Sequence, residues 1–154
     1  MLDVKKTLGR ILNRLSTTPN VVKDYAFSTS ATTNSTTTQQ TLYSKTHTSK
    51  TGRVLVFGVI PIYTDRNTAR AYLYAGSTQI DYHVTNATTA QSITLMGTAT
   101  VAKNSSVTYS IRFTAQSGAE ATVPAYQTYK LMIVDLGGVI KFFNALTPRG
   151  WATC

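Results

Sequence analysis

The chain has 154 residues, 42% hydrophobic and 14% charged, enough apolar material for one domain with a real core. Charge is sparse against the ~25% usual for globular domains, and Thr and Ser take its place, as suits strand surfaces and turns. The net charge of +9 comes from 15 basic and 6 acidic residues scattered without any Lys/Arg-rich run, so nucleic acid is not an expected partner.

Cys154 is the only cysteine, which excludes an intrachain disulfide and a thiolate metal cluster; it is read as a free thiol in a reducing cytoplasm. Lys5, Lys6, Arg10 and Arg14 break up the first 20 residues, so no signal peptide is expected. No run approaches the ~20 apolar residues a membrane helix needs, and a membrane is not an expected partner.

In chain order, Asp3 to Leu15 has a helical period. Val4, Leu8, Ile11, Leu12 and Leu15 fall on an arc of about 100°, with Asp3 at the start and Thr17, Thr18 and Pro19 at the end. A helix this short is marginal alone, so its stripe must dock on its own domain, on a partner protein or on copies of itself. Residues 1–18 are therefore expected to form an anchor helix. Val21 to Phe27 reads as a short strand or extended connection. Ser28 to Thr41 is Thr/Ser-rich and nearly free of apolar residues, and 19–41 is expected to be a spacer.

From Thr41 the pattern is β. Leu42 to Thr48 is a weak strand. Arg53 to Tyr63, RVLVFGVIPIY, is the strongest, and it is apolar on both faces. Val54, Val56, Ile60 and Ile62 share one face with Gly58, while Leu55, Phe57 and Val59 line the other. A strand wet on one face alternates apolar with polar; this one is expected to be covered twice. Thr64 to Thr68 is a polar loop. Arg70 to Ala75 places Tyr72 and Tyr74 opposite Ala71, Leu73 and Ala75, and Gly76-Ser77 makes a tight turn. Gln79 to Thr85 reads as Ile80, Tyr82 and Val84 inward, Asp81, His83 and Thr85 outward.

After the polar loop Asn86 to Gln91, Ile93 to Val101 keeps Ile93, Leu95, Ala99 and Val101 in phase. Lys103 to Ser105 turns the chain into Val107 to Ala115, with Val107, Tyr109, Ile111 and Phe113 on one face. Glu120 to Val123 is short and stopped by Pro124, which suits an edge. Tyr129 to Leu136 is a second run apolar on both faces. The tail 138–154, with Phe142, Phe143 and Trp151, is apolar enough to pack on its own domain or on a neighbouring chain.

Catalytic motifs are absent: there is no HExxH, P-loop, dinucleotide turn or CxxC. Six acids offer no obvious carboxylate pair. Asp81 and His83, two apart on a strand, fit a surface pair more simply than a metal site or proton relay. No catalytic residue, cofactor or metal is expected. The sequons at Asn34, Asn86 and Asn104 are chance products of Thr/Ser richness. Of the many tyrosines, those beside loops, Tyr63 and Tyr126, together with Arg66 and Arg70, are the recognition candidates for a host-surface glycan or protein.

The segment GRVLVFGVIPIYTDRNTARAYLYAGSTQID resembles the early strands of tumour-necrosis-factor and complement-type globular head domains, as they recur in bacteriophage structural proteins. Gly52, the strand Val54 to Ile62, and Gly76 with Ile80 carry that resemblance. SVTYSIRFTAQSG and YKLMIVDLG are similar to the penultimate and last strands. The resemblance covers about Thr41 to Gly137 and is one of pattern. It implies an all-β antiparallel jelly-roll sandwich of about eight strands over 42–137, trimerising around a threefold axis. Such a trimer would cover the second face of the central strands, through Leu55, Phe57, Val59, Met132 and Val134. The helix and spacer resemble the anchor layout of phage fibre, baseplate and capsid-attached proteins. The expectation is therefore a non-enzymatic virion protein made in the host cytoplasm. Its partners would be itself and, through the helix, other virion proteins.

Overall fold

The computed structural model describes the backbone of residues 21–27 and the whole of residues 30–136. The expected anchor helix, with Val4, Leu8, Ile11, Leu12 and Leu15, and the tail 138–154 lie outside the described residues. The strands are β1 (Val21–Phe27), β2 (Thr32–Asn34), β3 (Gln40–Ser49), β4 (Arg53–Thr64), β5 (Ala69–Ala75), β6 (Thr78–Thr85), β7 (Gln91–Thr100), β8 (Ser105–Ala115), β9 (Ala121–Val123) and β10 (Thr128–Asp135). Every pairing is antiparallel.

They form two sheets. In the first, β7 runs along one side of β4 from Arg53 to Ile62. β10 and then β9 share the other side, with β1 outside β10 and β2 outside β9. The second sheet has the order β3-β8-β5-β6. Leaving aside the short β2 and β9, the pairing is nested: β1 with β10, β3 with β8, β4 with β7, β5 with β6. Successive nested pairs alternate between the layers, and the Gly76 turn, at φ 59°, is the innermost hairpin.

Alternation explains the core. Val54, Val56, Ile60 and Ile62 of β4, Ile93 and Leu95 of β7 and Leu131 and Ile133 of β10 are buried against Ala71 and Leu73 of β5 and Tyr109, Ile111 and Phe113 of β8. Gly58 faces the second layer closely: a Cβ there would lie 3.2 Å from Ile111 Cγ1 and 3.3 Å from Leu73 Cδ1. At one end the core turns polar. The buried Asp135 carboxylate accepts hydrogen bonds from Lys50 N (2.8 Å) and Ser49 Oγ (3.1 Å), tying the end of β10 to the β3–β4 turn. Burial first, and the nearby Asp135 charge second, push the Tyr109 phenol above its ordinary value of 10.0.

Three expectations are corrected. Within the expected spacer over 19–41, Val21 to Phe27 is the short strand that its sequence allowed, and the Thr/Ser-rich part, expected to be a linker, carries β2; both strands are hydrogen-bonded into the first sheet. Asn34, expected only as a chance sequon, is buried, and its amide donates to Phe113 O (3.0 Å) and Thr38 O (2.9 Å). Around Asn34, backbone pairing to β9 and one well-placed amide hold a stretch that has almost no apolar side chains. Next, β9 is not an edge: it lies between β4 and β2 and is buried throughout. Finally, β6 changes phase. Its register slips at the Leu73/Tyr74 bulge, which leaves Ile80 extra. One extra residue flips everything that follows. Ile80 points inward over Gly97, but Tyr82 and Val84 are exposed and Thr85 is buried.

Candidate functional site

The two faces that point away from the core differ in chemistry. Residues directly opposite in an antiparallel pair share a face, with Cβ atoms about 5 Å apart. On the first sheet this register sets Phe57 beside Met132 of β10 and Met96 of β7. Leu55 lies beside Val134 and Thr98, and Val59 beside Lys130 and Thr94. The expected interface residues Leu55, Phe57, Val59, Met132 and Val134 are thus brought together in one strip. Each is half-buried, and Met96, which sequence reasoning missed, extends the strip at 55% exposure. Within the described chain the second face of β4 is therefore only partly covered, where double cover was expected. Apolar surface of this kind returns about 25 cal/mol per Å² when removed from water.

The recognition candidates lie at the end of the sandwich where β4 stops and β5, β9 and β10 start, but they do not share a surface. Tyr63 is half-buried, and Tyr126 is 71% exposed at φ 60°. Arg66 Nε donates to Asp65 Oδ2 at 2.9 Å. Asp65 Oδ1 also accepts from Glu120 N at 2.6 Å. That backbone hydrogen bond, with Arg66 adding, holds the Asp65 carboxyl below its ordinary 3.8. Arg66 is part of a loop clasp. Arg70, by register opposite Val84 and Thr114, belongs to the outer face of the second sheet.

That second face carries hydroxyls and aromatics. Thr46 pairs with Thr108 (2.8 Å) and Thr48 with Ser106 (2.7 Å) through their hydroxyls. Beyond them Arg112, Tyr72 and Tyr82 form one cross-strand row. Tyr72 and Tyr74 were legible as sharing a face, and Arg112 as lying opposite the core side of its strand; Tyr82 was placed inward because the bulge in the β5–β6 pairing leaves no mark in the sequence. The Asp81–His83 pair is no paired site. Asp81 accepts from Tyr82 N and Met96 N, both at 2.9 Å, and so bridges β6 to β7 across the layers. Among the described residues no three His, Cys, Asp or Glu side chains are placed to hold a metal.

The fold is thus an antiparallel β-sandwich with one aliphatic and one aromatic outer face. No protein-family model and no curated protein matches the chain. Among solved structures it is similar to the pilus of Bacillus endospore appendages, at 12% identity over 77% of this chain and 89% of that one, with a TM-score of 0.43. It is also similar to the VP2 subviral particle of infectious bursal disease virus, at 12% identity over 77% of this chain and 38% of that one, with a TM-score of 0.44. Likeness this slight carries no function, and the fold stands on its own strand order.

Proposed function

We propose that this chain is a non-enzymatic structural subunit of a bacteriophage particle: a jelly-roll that trimerises through the outer face of β10, β4 and β7. Its N-terminal helix attaches it to the capsid or tail, as a head fibre, decoration or baseplate component. The observation that carries this reading is the strip of Leu55, Phe57, Val59, Met96, Met132 and Val134, half-buried or exposed across β4 and its neighbours β10 and β7. A patch of that composition on a soluble protein marks an interaction site, and closed rotational symmetry is the usual way to bury identical patches. The nested strand pairing supports the jelly-roll reading and with it the resemblance to trimeric head domains, from which the phage context comes.

Two experiments test the two halves. Solution mass tests the trimer: a stable monomer at micromolar concentration sinks it. Deleting residues 1–16 tests the anchor: the deleted chain should fold yet fail to enter particles. Incorporation undiminished by the deletion would refute the anchor.

A further inference from the structure

The outer face of the second sheet spends exposed aromatic surface where hydroxyls would serve. The Tyr72 and Tyr82 rings are 6.3 Å apart and 24° from parallel, and Tyr74 lies 6.4 Å from Tyr72. The Arg112 guanidinium sits 4.1 Å from the centre of the Tyr74 ring. Gln39 Nε2 donates to the Tyr74 hydroxyl at 2.9 Å, so that ring is held from two sides. Tyr82, at 56% exposure, is the open end of the row.

The charge on this face has one sign. Arg70 and Arg112 lie on it by register. Of the acids on the described strands and loops, Asp24 is on β1 of the first sheet, Asp65 is in the end clasp, which Glu120 joins through its backbone N–H, Asp81 is turned to β7, and Asp135 is buried. None shares the face.

We propose that Tyr72, Tyr74, Tyr82, Arg70 and Arg112 form a binding platform for an acidic saccharide. The C–H face of a sugar ring lies on Tyr82 and Tyr72, which offer rigid, amphipathic contact at low entropic cost. A carboxylate or sulfate on the sugar pairs with Arg70 or with the outer edge of Arg112, whose planar fork suits such anions. A single nucleic-acid strand calls for cations tracking a phosphate at every residue; two arginines beside three rings match one or two acidic groups. The platform moves the recognition role away from Tyr63, Arg66 and Tyr126. It lies opposite the aliphatic strip, so it holds whether or not the chain trimerises.

The test is a binding panel on the full chain: sialylated, uronate-bearing and sulfated oligosaccharides, their neutral counterparts, and oligothymidine. Binding to an acidic member over its neutral counterpart is expected, weakening with salt. Tyr82→Ala should weaken it about tenfold, as expected for an anchoring aromatic, and Arg70→Gln should weaken it without changing the thermal midpoint. The sialylated and sulfated arms identify which acid is read. No acidic glycan bound at millimolar concentration, equal binding of neutral sugars, or indifference to Tyr82→Ala would each overturn the proposal. So would preference for oligothymidine.

Discussion

The two outer faces of this sandwich are built from the same alternating geometry and do opposite things with it. The first puts aliphatic, thioether and phenyl side chains on β4 and the two strands beside it, Phe57 flanked by Met132 and Met96. The second puts Thr–Thr and Thr–Ser hydroxyl pairs and a tyrosine–arginine row in the same structural position. A flat apolar strip gains most from shape-matched burial against another protein surface, without hydrogen bonds to satisfy. Amphipathic rings and cations keep their hydrogen bonding while wet and are suited to a polar ligand that comes and goes. In the two proposals, permanent assembly falls to one face and reversible recognition to the other.

The largest expected effect comes from charging the first face. Phe57→Asp places a carboxylate in every copy of the contact, where an unpaired buried charge costs several kcal/mol; the chain should remain folded by circular dichroism and become monomeric by native mass spectrometry. A smaller effect follows inside, where the layers meet. A Cβ on Gly97 would lie 2.1 Å from Ile80 Cγ2, so Gly97→Ala should cost about 1–3 kcal/mol in urea unfolding. Thr94→Ala, on the outer face of the same strand and exposed within the single chain, should stay within ~0.5 kcal/mol when the separated chain unfolds.

Tyr109 separates burial from ionisation. Its hydroxyl is buried and has no hydrogen-bond partner among the described residues, so Tyr109→Phe should leave stability at neutral pH unchanged or raised. The folded protein raises the phenol above 10.0, favouring its neutral form. That stability is complete below pH 10.0 and is lost as pH rises through the higher folded value; thermal melts of the Phe variant should lack this alkaline loss. Smallest of all, Tyr82→Ala should shift stability by no more than ~0.5 kcal/mol, leaving ligand binding as its readout.

Much of this was legible in the residues. The run Arg53 to Tyr63 announced β4, its buried face and the strip opposite, because period-two alternation is local. Tyr129 to Leu136 announced β10 for the same reason. What escaped was non-local. The bulge at Leu73/Tyr74 that turns Tyr82 outward exists only in the pairing of β5 with β6. The Thr/Ser stretch around Asn34 is held by backbone pairing to β9 and by a hydrogen bond from the Asn34 amide to the Phe113 carbonyl of β8, which no hydrophobic pattern reveals. Pro124 marks the end of β9, but whether a short strand has neighbours on both sides depends on strands far away in the chain.

The central claim is that the aliphatic face is a subunit contact. Sedimentation equilibrium of the full chain at micromolar concentration tests it most directly. The account predicts a species of three times the 16.8 kDa chain mass that Phe57→Asp reduces to one. A stable species at 16.8 kDa would contradict it.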